Sequence, residues 1–381
     1  MTEPTPTKGL AGVTAADTQL SRVDGERGRL IYRGYSIEDL GAHATFEEVV
    51  YLLWNGDLPT RGQLDAFKAA LLSKRALPSA VLGTMHEFPR EAHPMAVLRT
   101  VVSGLGLVDL QADDISLPSA RKKALLLTAV LPTIVAAWER IRNGQEPVAP
   151  RNDLDLAANF LYMLNGEEPS QQAVAALDTY LVLLADHGFN ASTFAARVTT
   201  GTLADVYSAI TSALGTLKGA AHGGANQAAM EQFTDAAQRG DVGAWFREAR
   251  RQGRRIMGIG HRVYKTEDPR AGILRPLAQQ LAASSGQGQW YDIAHEIEQL
   301  ARADDFFVER NLYANVDYYS AVVLYMIRLP ADQFTCAFAM SRVAGWTAHV
   351  LEQLADNRLI RPKARYVGQE ALTYVPLDDR P

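Results

Sequence analysis

Apolar residues recur every three or four positions along most of the chain, and this spacing predicts amphipathic helices. The spacing is sustained over five long segments, at residues 119–143, 154–164, 170–186, 203–217 and 334–356. Strand-type alternation is rare beyond the first forty residues, where residues 18–23 and 29–32 flank the turn dipeptide Asp24-Gly25. The pattern therefore predicts an all-α fold that carries one small N-terminal β-hairpin.

Two shorter helices are predicted from the signals at their ends. Thr45 is followed three residues later by Glu48, which is the arrangement of a capping box, and Asn55-Gly56 closes that segment. Thr60 and Gln63 repeat the spacing at the start of the next segment. We therefore expect one helix to begin after Thr45 and another after Thr60.

Glycine motifs, basic charge and loops concentrate between about Lys218 and Val316, with longer apolar segments on either side. This distribution predicts a smaller helical domain inserted into a larger one. We place the small domain at residues 218–320 and the large domain at residues 1–217 and 321–381.

The composition indicates an ordinary globular protein, because 47% of the 381 residues are hydrophobic and 21% are charged. The formal net charge of −5 argues against a general nucleic-acid binder, which needs a basic surplus to neutralise phosphates. The charge is unevenly distributed, however. Residues 247–275 hold nine Arg or Lys against three acidic residues, a local charge of +6. A basic patch on an acidic protein suits a small polyanionic ligand.

The single cysteine, Cys336, excludes an intrachain disulfide, and we expect a reducing, cytoplasmic compartment. Residues 1–8 are polar and lack the apolar centre of a signal peptide. The longest apolar run, residues 124–138, is interrupted by Pro132 and is shorter than a membrane span. We therefore expect no membrane association.

Four polar clusters lie at breaks between the predicted helices, and each contains a group that can exchange or donate a proton. The groups are His187, His222 and His261, each next to glycines, and Asp317 at the start of an apolar segment. A single histidine in such a position is more often a paired structural residue, and Asp317 could equally be a helix N-cap. The four together favour an active site.

Several common sites are excluded by the sequence. It contains no G-x-S-x-G nucleophile motif and neither of the usual glycine-rich nucleotide loops. The three histidines lack the i, i+4 spacing of a helical metal site, and the cysteine stands alone. We therefore expect no bound metal.

Three arginines remain as candidates for recognition of an anionic substrate: Arg270, Arg342 and Arg361. The guanidinium group matches a carboxylate in two-point contact, so three of them indicate a di- or tricarboxylate. A carboxylate base beside histidine donors is what removal of a proton α to a carbonyl needs. Scattered surface arginines are the alternative for any one of the three.

The ordered motifs resemble the citrate synthase family over residues 9 to about 368. The matching segments are DGERGRLIYRGY at 24–35, HPMAVLRT at 93–100, DHGFNASTF at 186–194, HGGAN at 222–226, GIGHRVYK at 258–265, DPR at 268–270, NVD at 315–317 and RVAGWTAH at 342–349.

The resemblance implies a nearly all-α, two-domain homodimer whose small domain closes over its substrates. It implies that Asp317 is the base that deprotonates the acetyl-CoA methyl group and that His222 donates to the thioester oxygen. It also implies that His261 polarises and then protonates the oxaloacetate carbonyl. The expected reaction condenses acetyl-CoA with oxaloacetate and hydrolyses citryl-CoA to citrate and CoA.

Further roles follow from the same resemblance. The implied oxaloacetate ligands are His187, Arg270, Arg342 and, from the partner subunit of the dimer, Arg361. The implied CoA contacts are Lys265, Arg310, Gly258 and Gly260. CoA enters as a co-substrate, and neither a covalent cofactor nor a metal is expected.

Two alternatives stay open. A 2-methylcitrate synthase would use the same groups on propionyl-CoA, and the extra methylene changes binding by only about 1–3 kcal/mol. A non-catalytic paralogue that binds CoA or dicarboxylates would be expected to lack at least one of His222, His261 and Asp317, which are all present.

Overall fold

The computed structural model describes residues 7–10 and 12–381, and these are 61% helix and 3% strand. This confirms the predicted all-α class. The helices before residue 218 are α1 Ile37–His43, α2 Phe46–Asn55, α3 Arg61–Leu72, α4 Ser79–His86, α5 Pro94–Val108, α6 Leu117–Arg142, α7 Leu156–Asn165, α8 Gln171–Leu184, α9 Ala191–Gly201 and α10 Val206–Leu217. The later helices are α11 Ala225–Arg239, α12 Val242–Arg251, α13 Pro269–Ser285, α14 Gln289–Ala303, α15 Asp305–Val308, α16 Val316–Met326 and α17 Phe334–Ala355.

The predicted hairpin is present and carries a third strand. Strands β1 Ser21–Asp24, β2 Arg29–Tyr32 and β3 Tyr35–Ser36 form an antiparallel sheet in the order β1-β2-β3, with Asp24 opposite Arg29. The third strand was not predicted. It forms because Arg33 and Gly34 both have positive φ, 47° and 93°, and reverse the chain within two residues.

The two capping boxes are confirmed. The Thr45 side chain accepts a hydrogen bond from the backbone N–H of Glu48, and the Glu48 side chain accepts one from the backbone N–H of Thr45. Thr60 and Gln63 form the same reciprocal pair at the start of α3. Gly56 ends α2 in the left-handed conformation, with φ of 97°.

Helix α17 is the central element of the core. Almost every residue from Phe334 to Leu351 is buried, and the helix contacts α6, α9, α8 and α2. Because α17 is surrounded, a polar side chain on it needs a partner within the protein or a bound ligand. Arg342 and His349 are such side chains.

Helix α6 matches the predicted segment at residues 119–143 and continues through Pro132. With 26 residues it is the one helix of the described chain that is long and apolar enough to span a membrane, by length and composition only. The most apolar stretch is 78% buried inside the protein, which is typical of a core helix.

Residues 218–320 contain α11 to α15 and the first part of α16. Within them α11 contacts α12, α14 and α16, while α13 also reaches α1 and α8 of the predicted large domain. The predicted boundary at residue 320 lies inside α16, which is continuous from Val316 to Met326. The division into two domains stays a prediction.

Candidate active site

A short backbone ladder brings the His261 loop to the start of α16. The N–H of Asn315 donates to the carbonyl of Gly258 (2.9 Å), and the N–H of Gly260 donates to the carbonyl of Tyr313 (2.7 Å). The side-chain amide of Asn315 donates to the carbonyl of Gly260 (2.8 Å). This ladder joins the segment that precedes His261 to the segment that precedes Asp317.

Both glycines of the ladder are required by the chain itself. Gly258 and Gly260 have φ of 78° and 94°, which strongly favour glycine. A Cβ on Gly258 would lie 2.9 Å from Cα of Tyr318, and one on Gly260 would lie 3.0 Å from Cδ2 of Leu312. Packing thus accounts for both glycines, and their contact with CoA stays a prediction.

The His261 ring is oriented by its own loop. Its Nδ1 accepts hydrogen bonds from the backbone N–H groups of Val263 (3.0 Å) and Tyr264 (3.1 Å). Burial, together with the nearby Arg270 charge, lowers the pKa of His261 to about 4. The imidazole is therefore neutral near pH 7 and carries its proton on Nε2, where it can donate to a ligand.

His187 lies beside His261. It follows α8, directly before Gly188, whose φ of 58° turns the chain. Its Nε2 is 3.1 Å from the Tyr264 hydroxyl, and the His187 and His261 ring centroids are 5.7 Å apart. Burial and the charges of Arg270 and Arg342 hold the pKa of His187 well below its usual value.

Arg270 is buried and paired with Asp268, a residue of the matching segment at 268–270 to which no role was assigned from the sequence. Its Nε and Nη2 atoms donate to the two oxygens of the Asp268 carboxylate (3.0 and 2.8 Å). That carboxylate also accepts from the backbone N–H of Val316 (3.2 Å). Burial alone would raise the pKa of Asp268, but Arg270 holds it below its usual value. The pair thus fixes the start of α13 against the start of α16.

Arg342 is only 1% exposed on α17. Its Nε donates to the carbonyl of Leu184 (2.7 Å), and its guanidinium carbon is 4.7 Å from the centre of the Phe338 ring. Within the described ranges no carboxylate forms an ion pair with Arg342. A buried guanidinium without a carboxylate is costly, so this position suits an anionic ligand.

The hypothesis that Asp317 is a helix N-cap is wrong. Asn315 caps α16, and its side-chain oxygen accepts from the N–H of Asp317 (2.9 Å). The Asp317 carboxylate has no hydrogen-bond partner in the described part of the chain. Burial raises its pKa to about 6, although Arg270 and Arg342 act in the opposite direction. A carboxyl group with this pKa is suited to act as a general base near neutral pH.

His222 lies in the loop between α10 and α11 and contacts Ser192 at the start of α9. Its Nε2 is 2.8 Å from the Ser192 hydroxyl and 3.4 Å from the Ser192 backbone N–H. Because a backbone N–H can only donate, the second contact favours a proton on Nδ1. Burial and then Arg342 lower the pKa of His222 to about 4, so this ring is also neutral.

Ser192 is itself held by side chains from elsewhere. Its hydroxyl contacts the Asn190 side-chain oxygen (2.8 Å) and accepts from the indole N–H of Trp346 on α17 (3.1 Å). Ser192 and Trp346 both lie in segments that match the family, at 186–194 and 342–349, but neither was assigned a role from the sequence. No local pattern could have linked them, because they are 154 positions apart.

A second buried network supports the His187 loop. The Asp186 carboxylate accepts from the N–H of Gly188 (3.2 Å) and lies 3.3 Å from Nε2 of His349. Nδ1 of His349 is in turn 3.1 Å from the Arg197 guanidinium. Asp186 and His349 are fully buried. Helix α17 therefore supports the His187 loop through the buried side chain of His349.

Comparison with known proteins identifies the chain. The family model described as "Citrate synthase, C-terminal domain" matches residues 9–363. The chain belongs to the citrate synthase family. It is therefore an enzyme of the acyltransferase class that converts the acyl group into an alkyl group on transfer.

The similarity extends over the whole chain. The citrate synthase of Haloferax volcanii is 47% identical, and the match covers 98% of this chain and 98% of that protein. The 2-methylcitrate synthase of Mycobacterium tuberculosis is 40% identical, and the match covers 95% of this chain and 91% of that protein. The solved ternary complex of carboxymethyl coenzyme A and oxaloacetate with the Thermoplasma acidophilum citrate synthase superposes with a TM-score of 0.92 at 35% identity, covering 98% and 99% of the two chains.

Three cations expected from the citrate synthase family are exposed. Arg361 is exposed beyond α17, where it lines a cavity of about 860 Å³ that none of the three site histidines lines. Lys265 is exposed, and its backbone N–H donates to the carbonyl of Gly25 (2.9 Å). Arg310 is exposed, with its guanidinium 4.2 Å from the Phe306 ring centre. Their roles stay predictions.

A metal site is not indicated in the described part of the chain, where no group of three or more His, Cys, Asp or Glu side chains could hold an ion.

Proposed function

We propose that the chain is a citrate synthase that condenses acetyl-CoA with oxaloacetate and hydrolyses the resulting citryl-CoA. The observation that carries the proposal is the Asp317 carboxylate. It has no hydrogen-bond partner among the described residues, its pKa is raised to about 6, and it lies within the field of Arg270 and Arg342. A base of this strength beside two neutral histidine donors suits the deprotonation of a carbon acid.

Oxaloacetate binds first in this scheme. Arg342 and Arg270 receive its carboxylates together with His187, and the Nε2–H of His261 donates to its keto oxygen. Arg342 is available because it is buried without a carboxylate partner. Binding that draws both arginines onto one ligand completes the acetyl-CoA site, and this order limits hydrolysis of free acetyl-CoA.

Condensation then uses the remaining two groups. Asp317 removes a proton from the acetyl methyl group while Nδ1–H of His222 stabilises the oxygen of the forming enolate. The enolate carbon bonds to the keto carbon of oxaloacetate, the keto π electrons move to oxygen, and His261 supplies the proton there. Water then cleaves the thioester and releases citrate and CoA.

The proposal includes a cytoplasmic homodimer in which Arg361 reaches the oxaloacetate of the partner subunit. It is supported by the exposure of Arg361 beyond α17 and by exposed apolar side chains in the same segment, such as Tyr366 and Leu372 (68% and 75% exposed). Lys265, from the basic segment at residues 247–275, and Arg310 then bind CoA phosphates. Light scattering during size-exclusion chromatography tests the dimer.

The reaction is tested by following CoA release from acetyl-CoA with and without oxaloacetate. Release that requires both substrates, and that drops strongly in Asp317→Asn, supports the proposal. If the protein binds oxaloacetate but releases no CoA, and Asp317→Ala changes nothing, a non-catalytic binding protein becomes the better description.

A 2-methylcitrate synthase is the second candidate, favoured by the 40% identity to the Mycobacterium tuberculosis enzyme. The substrates differ by one methylene, worth about 1–3 kcal/mol in an apolar pocket. We expect a higher kcat/KM for acetyl-CoA than for propionyl-CoA when oxaloacetate is saturating, and the reverse order would assign the second function.

A further inference from the structure

The turn of the N-terminal hairpin, residues 24–28, packs on the loop at residues 258–268 that carries His261. We name these segments the hairpin turn and the histidine loop. The N–H of Lys265 donates to the carbonyl of Gly25 (2.9 Å), so a backbone hydrogen bond joins them directly. The hairpin turn lies in the predicted large domain and the histidine loop in the predicted small one.

The contact leaves no room for a side chain at Gly25 or Gly28. A Cβ on Gly25 would lie 2.2 Å from the carbonyl oxygen of Val263 and 2.9 Å from its carbonyl carbon. A Cβ on Gly28 would lie 2.4 Å from Oγ1 of Thr266 and 3.1 Å from the carbonyl oxygen of Glu267. A Cβ contact shorter than 3.0 Å essentially never occurs in folded proteins, so a methyl group on Gly25 must displace the loop backbone and one on Gly28 must displace Thr266.

The displaced residues are the ones that orient His261. The N–H groups of Val263 and Tyr264 donate to Nδ1 of His261, and the hydroxyl of Tyr264 contacts His187. A shift of residues 263–267 therefore moves both histidines. Misplacement of a catalytic group by about 1 Å can cost on the order of 100-fold in rate.

We propose that Gly25 and Gly28 are positioning residues, and that the hairpin turn acts as the template against which the histidine loop is set. The proposal rests on the proposed function for its kinetic consequence, because that function assigns His187 and His261 to oxaloacetate. The contact itself does not depend on it.

Gly28→Ala and Gly34→Ala form a matched pair for the test. Both glycines lie in turns that connect strands of the three-stranded sheet and have positive φ, 63° and 93°, so alanine strains the backbone at both. Only Gly28 faces the loop, since a Cβ on Gly34 meets nothing within 4 Å. We expect Gly28→Ala to lower kcat/KM for oxaloacetate by about 10- to 100-fold, with a raised KM, and Gly34→Ala to change it by less than about twofold.

A rescue experiment separates side-chain from backbone obstruction. In Gly28→Ala the new methyl group meets Oγ1 of Thr266 at 2.4 Å, and Thr266→Ala removes that atom. In Gly25→Ala the new methyl group meets the carbonyl oxygen of Val263, which Thr266→Ala leaves in place. We expect Thr266→Ala to restore most of the lost kcat/KM in the Gly28→Ala background and none in the Gly25→Ala background. Such a coupling is the signature of direct contact.

A third readout is independent of activity and of the variants. In the wild-type protein the Lys265 amide should exchange with deuterium slowly, because Gly25 accepts its hydrogen bond. Mass spectrometry with fragmentation to single-residue resolution measures this exchange rate. Rapid exchange at Lys265 would overturn the inference even if every alanine variant failed to fold.

The outcomes distinguish the two proposals. If wild-type protein releases no CoA, the proposed function fails, while slow exchange at Lys265 still supports the contact. If wild-type protein is active but Gly25→Ala and Gly28→Ala only lower Tm, with kcat/KM as in Gly34→Ala, the glycines are structural and the positioning role is wrong.

Discussion

His261 and His222 reach the same electrostatic state by different routes. The pKa of each is lowered to about 4, mainly by burial, so both rings are neutral donors. His261 is held by backbone N–H groups two and three residues away in its own loop. His222 is held by Ser192, 30 positions away, whose hydroxyl depends on Trp346 of α17.

This difference indicates which substitutions disturb the position of each histidine. Backbone donors persist whatever side chain carries them, so His261 is disturbed only when its loop moves as a whole. The closer support of His222 is the Ser192 hydroxyl (2.8 Å), whereas the Ser192 backbone N–H is 3.4 Å away, so a single substitution removes the shorter contact. We test that contrast with substitutions, beginning with the proposed base, Asp317, for which both histidines are the proposed partner donors.

Asp317→Asn removes the proposed base that deprotonates the acetyl methyl group. We expect kcat to fall by about 10²- to 10⁴-fold, with little change in the affinity for oxaloacetate, because the amide is nearly isosteric but cannot accept the methyl proton. Stopped-flow CoA release and calorimetric oxaloacetate binding measure the two quantities. A loss of less than tenfold in kcat would remove Asp317 from the mechanism.

His222→Gln and His261→Gln separate the two donors. We expect each to lower kcat by about 10²- to 10³-fold, since each removes one donor to a developing charge. Only His261→Gln should also weaken oxaloacetate binding, because His222 is assigned to the thioester. Equal weakening of oxaloacetate by both variants would contradict this division.

Ser192→Ala and Val263→Ala compare the two supports directly. Ser192→Ala removes the hydroxyl 2.8 Å from Nε2 of His222, and we expect kcat to fall about tenfold. Val263→Ala keeps the N–H that donates to His261, and we expect less than a twofold change. If the two variants lost activity equally, the contrast between side-chain and backbone support would not hold.

The pH profile of kcat/KM distinguishes the base from the donors. Since the pKa of Asp317 is raised to about 6, its carboxylate becomes protonated as pH falls through 6, and activity should drop about tenfold per pH unit below that. The histidines, with pKa values near 4, should steepen the loss only below pH 4. Asp317→Asn should abolish the limb near pH 6. A limb that persists in this variant would mean that another group titrates there.

We expect the smallest effect in the thermal stability of the Asp317→Asn variant. The folded protein holds a proton on Asp317 up to about pH 6, whereas the unfolded chain releases it near 3.8. The carboxyl therefore lowers stability as pH rises through this window, and Asp317→Asn should raise Tm by on the order of 1–3 °C at pH 7 and by none below pH 3.5. Calorimetry at the two pH values measures this difference. Equal changes at both would show that the carboxylate charge is not the cause.

The sequence by itself determined the helical class, the capped starts of α2 and α3, and which residues could carry the chemistry. These features are local: helical periodicity, capping spacing and glycine-flanked polar residues are read within a few positions. The resemblance then extended them to the roles of His222, His261 and Asp317. The third strand was missed, because the two-residue reversal at Arg33 and Gly34 depends on their positive φ and leaves no clear local signal.

Only the tertiary structure decided how the site is held together. The ladder from Gly258 to Asn315, the support of His222 by Ser192 and Trp346, and the hairpin turn against the histidine loop all join distant segments. The raised pKa of Asp317 likewise arises from burial and from the surrounding charges, which no local pattern contains. The reason is physical: contact and desolvation depend on where the packed helices bring the chain.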